Sequence, residues 1–278
     1  MLFLLYALSI AGTIAIAVVL FHAASALTYD RRMEYPELTY ASPKITPELD
    51  GYTLAFITDP HYVPEKKLRK VAANISKRNV NLLLLGGDFS GGQALDKAMR
   101  ILSGITTKDG IYGVDGNHDD YAELFAAMEK YGMRPLDNAG TTLHPGLYLA
   151  GVQDLWKRRP DVKKAVRNAA DGDFVLLLAH NPYLSMIQNT SLVDLMLCGH
   201  THGGQVTFFG LWTPALTNMK YIMKHGQKFI AGWIKAPHDT DVFISRGTGS
   251  IRFTPRIYAP PQVIYLTLRH GDMAGPLM

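Results

Sequence analysis

The sequence predicts an α/β domain with a largely parallel sheet in its first half, carried behind an apolar N-terminal segment. Three observations lead there. Short apolar runs recur along the chain and each closes on a polar cluster; runs of this kind bounded by Gly, Asp or Asn read as strands buried on both faces. Amphipathic stretches separate several of the runs, and strands alternating with helices favour parallel pairing. The 278 residues, 47% of them hydrophobic, are enough for one sizeable core and an appendage.

The appendage comes first. From Met1 to Tyr29 there is no Lys, Arg, Asp or Glu, and roughly 20 apolar residues span a bilayer as a helix. A cleaved signal peptide is the rival, since Ala24-Ser25-Ala26 resembles a small-residue cleavage site. The apolar stretch exceeds the usual h-region of about 7–15 residues and no basic n-region precedes it, so residues 1–29 are read as a single-pass anchor. Arg31 and Arg32 follow the span and the positive-inside rule puts the domain on the cytoplasmic side; cleavage would instead make it an exported protein. Residues 30–50, with three prolines and no periodicity, read as a linker, and 51–278 as the domain.

Within the domain "YTLAFITDPH" ends on Asp59 and His61, "VNLLLLGGD" on Asp88, and "GIYGVDGNHD" on Asn117 and His118. "DFVLLLAHNP" reaches His180, and "VDLMLCGHTH" ends on His200 and His202. "EKKLRKVAANISKRN" and "YAELFAAMEKYG" place apolar residues at three- and four-residue spacing and predict helices. The later "VFISRGTG" and "QVIYLTLR" predict further β-structure packed on the first sheet.

In α/β sheets the ligand site lies beyond the carboxyl ends of the strands, where each polar cluster falls. Taken singly, Gly86-Gly87-Asp88 could be a turn, Asn117 a left-handed residue, and His200-x-His202 two ordinary histidines. Taken together, five of the ten histidines gather with Asp59, Asp88 and Asn117 at strand ends. These oxygen and imidazole donors suit Mn, Fe, Zn, Ni or Co. The single cysteine, Cys198, excludes an intramolecular disulfide and a Cys-rich zinc module.

The order D-x-H (Asp59, His61), G-D (Gly87, Asp88), G-N-H-D (Gly116 to Asp119), a single His180 and G-H-T-H (Gly199 to His202) resembles the calcineurin-like metallophosphoesterases. The downstream segments resemble the membrane-associated and exported bacterial branch. The resemblance implies a four-layer αββα sandwich, two packed sheets flanked by helices, with two divalent metals at the strand ends; Mn is favoured, with Fe or Zn as alternatives. It assigns Asp59, His61 and His202 to one metal, Asn117, His180 and His200 to the other, and Asp88 to a bridge between them. His118 is the implied catalytic residue, protonating or stabilising the leaving oxygen, with Asp119 orienting its ring. The implied reaction is metal-assisted hydrolysis of a phosphoester or pyrophosphate bond. Pro60 and the glycines of "DFSGG" depart from the commoner pattern without removing a ligand.

The net charge of +4 is mild and no nucleic-acid-binding motif is present. Two basic stretches stand outside the metal motifs. Residues 156–167 carry six Lys/Arg against one Asp, and residues 217–236 carry four Lys with Tyr221, Ile222, Met223 and Trp233. Beside an anchor, such a segment reads as one that meets an anionic bilayer surface. The favoured substrate is therefore a membrane phospholipid or lipid-linked pyrophosphate, a UDP-diacylglucosamine-type lipid included. A soluble nucleotide phosphodiesterase and a non-catalytic metal-binding membrane protein are the alternatives.

Overall fold

The structure, a computed structural model, describes residues 2–27, 32–61, 63–89, 95–209, 212–213, 230–251 and 255–277. It opens with helix α1 (Leu2–Leu27). The span Phe3–Ala24 is long and apolar enough to cross a membrane, and its side chains are exposed along nearly the whole length. The next strand, β1 (Glu37–Ser42), falls inside the stretch read as a linker.

Two sheets follow. The first combines β1 with β2 (Thr53–Ile57), β3 (Leu82–Leu85), β4 (Ile111–Gly113), β5 (Arg134–Pro135), β12 (Ile264–His270) and β13 (Gly275–Leu277), in the order β13-β1-β12-β2-β3-β4-β5. The second combines β6 (Ala139–His144), β7 (Leu147–Gly151), β8 (Phe174–Leu178), β9 (Leu195–Cys198), β10 (Gly232–Lys235) and β11 (Asp241–Ile244), in the order β10-β11-β9-β8-β7-β6. Helices α2 (Glu65–Ser76), α3 (Leu95–Leu102) and α4 (Tyr121–Lys130) cover the first sheet, and α5 (Val162–Ala165) and α6 (Leu184–Ile187) cover the second.

The four layers follow from period-two alternation within apolar runs. In β3, Leu82 and Leu84 face the second sheet while Leu83 and Leu85 face the helices. In β8, Phe174, Leu176 and Leu178 face the first sheet while Val175 and Leu177 meet α5 and α6. Cys198 is buried among this outer cluster, and burial pushes its thiol well up.

The late strands divide between the two sheets. "VFIS" forms β11, parallel to β9 in the second sheet, and "QVIYLTLR" enters the middle of the first sheet as β12, parallel to β1 and antiparallel to β2. β11 thus lies in the layer that packs on the first sheet, as expected, whereas β12 joins the first sheet itself. β12 completes a sheet whose β2 edge would otherwise expose unpaired backbone groups, and it brings β1 in with it.

Of the basic stretch 217–236, residues 217–229 lie outside the described residues, as do the glycines of "DFSGG". Its described end is structural. Trp233 sits on β10 with its ring stacked on Tyr40 at 5.8 Å and edge-on to Phe243 at 5.0 Å, and Lys235 pairs with Asp239 and Asp241. That Trp233 ring packs on the core rather than facing a bilayer. In the stretch 156–167, Asp161 caps α5 by accepting from the Lys164 backbone N–H, so most of it is a capped turn and a single helical turn.

Candidate metal centre

Every sequence-predicted site residue lies at the carboxyl end of a strand, and the two sheets contribute jointly. β2 leads to Asp59 and His61, β3 to Asp88, and β4 to Asn117 and His118; β8 leads to His180, and β9 to His200 and His202. Backbone bonds lock these loops together: Asp59 N–H donates to Gly87 O at 3.0 Å and His61 N–H to Asp88 O at 3.2 Å. Across the seam, His200 N–H donates to both Asp59 carboxylate oxygens, at 3.1 and 3.0 Å. Asp59, His61, Asp88, His200 and His202 all have positive φ, a conformation that costs L-residues energy and concentrates where surrounding structure over-determines it.

The glycines of the motifs are required by contact. A Cβ on Gly116 would fall on the Asp88 carboxylate and backbone nitrogen, and one on Gly199 would fall on Asp59 and Thr58. "G-N-H" and "G-H" therefore mark where one loop passes directly over another's carboxylate.

Two overlapping donor sets result. Asp59, His61, Asp88 and His202 offer ligand atoms within 4.8 Å of one another, and so do Asp88, His180 and His200. Asp88 belongs to both: its Oδ2 is 3.2 Å from His61 Nε2 and 3.2 Å from His180 Nε2. Asn117 joins the second set with Oδ1 3.2 Å from His180 Nε2, and His202 Nε2 is 3.4 Å from Asp59 Oδ1. The seven residues are all buried. His118 is exposed beside them, its ring edge-on to His61 at 5.2 Å.

The donor chemistry fits cations. His180 Nδ1 lies 2.8 Å from the Gly86 carbonyl, which fixes that nitrogen as the N–H. The opposite nitrogen of the neutral ring is then a lone pair facing Asp88 Oδ2, Asn117 Oδ1 and, at 3.2 Å, His200 Nδ1. Lone pairs converging in a dry space repel unless a positive charge sits among them, and a ligating histidine commonly donates its other N–H to a carbonyl in this way. His200 Nε2 is buried without a hydrogen-bond partner among the described residues.

Protonation preferences in the cluster conflict. Burial pushes Asp59 up despite the nearby His180, whereas His180 and His61 overcome burial to hold Asp88 well below the usual carboxylate range. Burial disfavours charge on His180 and His61 too, yet the Asp88 carboxylate raises both. Burial, reinforced by His180, takes His200 down to about 3, and burial with the Arg256 guanidinium lowers His202. Two cations would satisfy the whole set with carboxylates ionised and imidazoles neutral, the protonation states that metal ligands need.

Two residues escaped the sequence reading, and a third has a further role. Asp119 has a role the sequence did not suggest: its Oδ2 accepts the Asp88 N–H at 2.7 Å and the Gly116 N–H at 2.9 Å, tying two ligand loops together. Arg256 lies buried behind His202, its Nη1 donating to the His202 carbonyl at 3.1 Å and its Nη2 3.3 Å from Nδ1. Trp156 stands edge-on to His200 at 4.3 Å. The aspartate is adjacent to a motif, but nothing local marks Arg256 or Trp156, because both arrive from distant loops.

Comparison with known proteins gives the family. An uncharacterized metallophosphoesterase of Helicobacter pylori is 27% identical over 216 residues, 73% of this chain and 55% of that protein. A zebrafish transmembrane protein with a metallophosphoesterase domain is 26% identical over 252 residues, 82% of this chain and 55% of its own length. The uncharacterized metallophosphoesterase YkuE of Bacillus subtilis is 27% identical over 255 residues, 85% and 86% of the two chains. The chain thus spans about half the length of the first two. The calcineurin-like phosphoesterase profile matches residues 52–204, from the strand before Asp59 to just past His202, and the chain belongs to that family.

Proposed function

We propose that the protein is a binuclear metal-dependent phosphoesterase acting on a phosphoester or pyrophosphate bond at a membrane. The observation that carries this reading is the shared Asp88 carboxylate, 3.2 Å from an imidazole nitrogen of each donor set. A carboxylate can link two cations about 3.5–4 Å apart. Asp59, His61 and His202 would hold one ion and Asn117, His180 and His200 the other. Such a pair, Mn favoured, supplies Lewis acidity toward phosphoryl oxygens and lowers the pKa of water toward neutrality.

The chain's own residues do the rest. Buried loops exclude bulk water from the ligand set and the His180 and His61 imidazoles keep Asp88 unprotonated, while His118, exposed at the mouth, meets the phosphate and gives its proton to the departing oxygen. The N-terminal helix supports a membrane phosphoester as substrate, a phospholipid or a lipid-linked pyrophosphate of the UDP-diacylglucosamine type, with the domain on the cytoplasmic side. The four lysines in the sequence of residues 217–236 suit an anionic lipid surface.

Full-length protein in detergent, stripped with chelator and assayed on bis(p-nitrophenyl) phosphate with and without Mn, tests the reading. Hydrolysis should appear with Mn, and Asp88→Asn should lose bound metal and turnover together. Two metals per chain with normal turnover in Asp88→Asn would refute the assignment.

A further inference from the structure

The anchor helix and the site's mouth are joined by an aromatic seat. His22, near the end of α1, is buried, its ring 4.9 Å from Phe209, 5.6 Å from Phe208 and 5.2 Å from Tyr258. Phe21 adds contacts at 6.4 Å to Phe209 and 6.0 Å to Tyr258. Phe208 and Phe209 come from the segment that leaves His202, and Tyr258 from the segment paired with it. Val206 bridges to Ile257, Thr207 N–H donates to Ile257 O at 2.9 Å, and Thr213 Oγ donates to Gly204 O at 3.0 Å. Gln205 in turn accepts the Ile251 N–H at 2.9 Å. The seat is therefore built on the backbone that carries a candidate metal ligand.

The rest of this rim is unusually apolar for a surface. Phe208 is 46% exposed, Phe209 52%, Trp212 49% and Ile251 41%, and the Phe208 and Trp212 rings tilt together at 5.6 Å. Large side chains exposed as one group mark an interaction surface, and the adjoining helix identifies the occupant. An exposed apolar helix of this length is suited to a bilayer. Residues 3–20, ahead of the seat, are 18 residues and rise about 27 Å, close to the hydrocarbon thickness. The seat then falls at the membrane–water boundary, where aromatic rings partition favourably.

We propose that Phe208, Phe209, Trp212 and Ile251 form a bilayer-inserting rim, held against the membrane surface by the His22 seat, so that the metal centre opens onto lipid headgroups rather than bulk solvent. The proposal deepens the phosphoesterase reading by specifying a substrate presented from the bilayer. The seating itself does not depend on catalysis and can be measured without it.

The test uses the full chain in nanodiscs of phosphatidylcholine and phosphatidylglycerol, with Trp156→Phe and Trp233→Phe leaving Trp212 as the lone tryptophan. Acyl chains brominated near the headgroup should quench Trp212 by about half, as expected for an interfacial ring; fluorescence unchanged by brominated lipid would overturn the proposal and leave the rim to a protein partner. In otherwise unaltered protein, Phe208→Ser with Trp212→Ser should lower the ratio of phospholipid to bis(p-nitrophenyl) phosphate hydrolysis about tenfold, since interfacial binding scales with buried apolar area. An unchanged ratio would also overturn it. Quenching of Trp212, with neither substrate hydrolysed by the unaltered protein, would support the seating and refute the phosphoesterase reading alone.

Discussion

Replacing Asp119 by alanine should damage both stability and metal binding, although Asp119 belongs to neither donor set. Its Oδ2 is the acceptor for two backbone N–H groups, Asp88 at 2.7 Å and Gly116 at 2.9 Å, and both residues are buried. Each buried donor left without an acceptor costs about 1–3 kcal/mol, so the pair costs about 2–6 kcal/mol. A domain of this size loses about 2–4 °C per kcal/mol, which puts the fall in Tm between about 4 and 24 °C. The same bonds fix the backbone of Asp88, so Mn affinity should drop about 10–100-fold, the usual cost of removing a residue that orients a ligand. Asp119→Asn keeps one amide oxygen for both donors and should lose less than half as much of each. The assays are thermal unfolding of chelator-stripped protein in detergent and calorimetric Mn titration. Alanine melting with the unaltered protein, or asparagine falling as far as alanine, would refute the account of Asp119 as an acceptor between loops.

Three further outcomes are expected. His118→Ala should retain two bound metals while losing about 10²–10⁴-fold in rate, measured as metal content against turnover; an emptied site would make His118 a ligand. Leu84→Ala and Leu83→Ala should each cost about 2–5 kcal/mol in denaturant unfolding, because Leu84 is buried between the sheets and Leu83 beneath the helices; a mild effect at Leu83 would contradict a sheet covered on both faces. The full chain should stay in the membrane pellet through a high-salt wash, since burial of some 20 apolar residues is insensitive to ionic strength, whereas release by salt would argue against a spanning helix.

The site was legible because each donor ends an apolar run, and an apolar run closed by Asp, Asn or His is local information. Strands β2, β3, β8 and β9 and helices α2 and α4 were legible for the same reason. β1 was not: "ELTYAS" between prolines has little alternation, and it becomes a strand because β12 pairs with all six of its residues. The place of β12 between β1 and β2 depends on partners more than 200 residues upstream, which no periodicity encodes. Asp119 shows a finer limit, since its neighbour His118 suggested one partner and the crossing of the Asp88 and Gly116 loops supplied two others.

The division of the donors between sheets carries a consequence for how the halves of the chain depend on each other. The sheet containing β2, β3 and β4 supplies Asp59, His61, Asp88 and Asn117; the sheet containing β8 and β9 supplies His180, His200 and His202. Each donor set draws on both, so neither half owns a complete one. Sliding one sheet past the other by a single residue, about 3.3 Å, would carry His202 away from Asp59 and His180 away from Asp88 in one movement. Ions bound here would act as a clasp across the seam, joining parts of the chain about 140 residues apart and withholding full affinity until the leucines between the sheets have meshed.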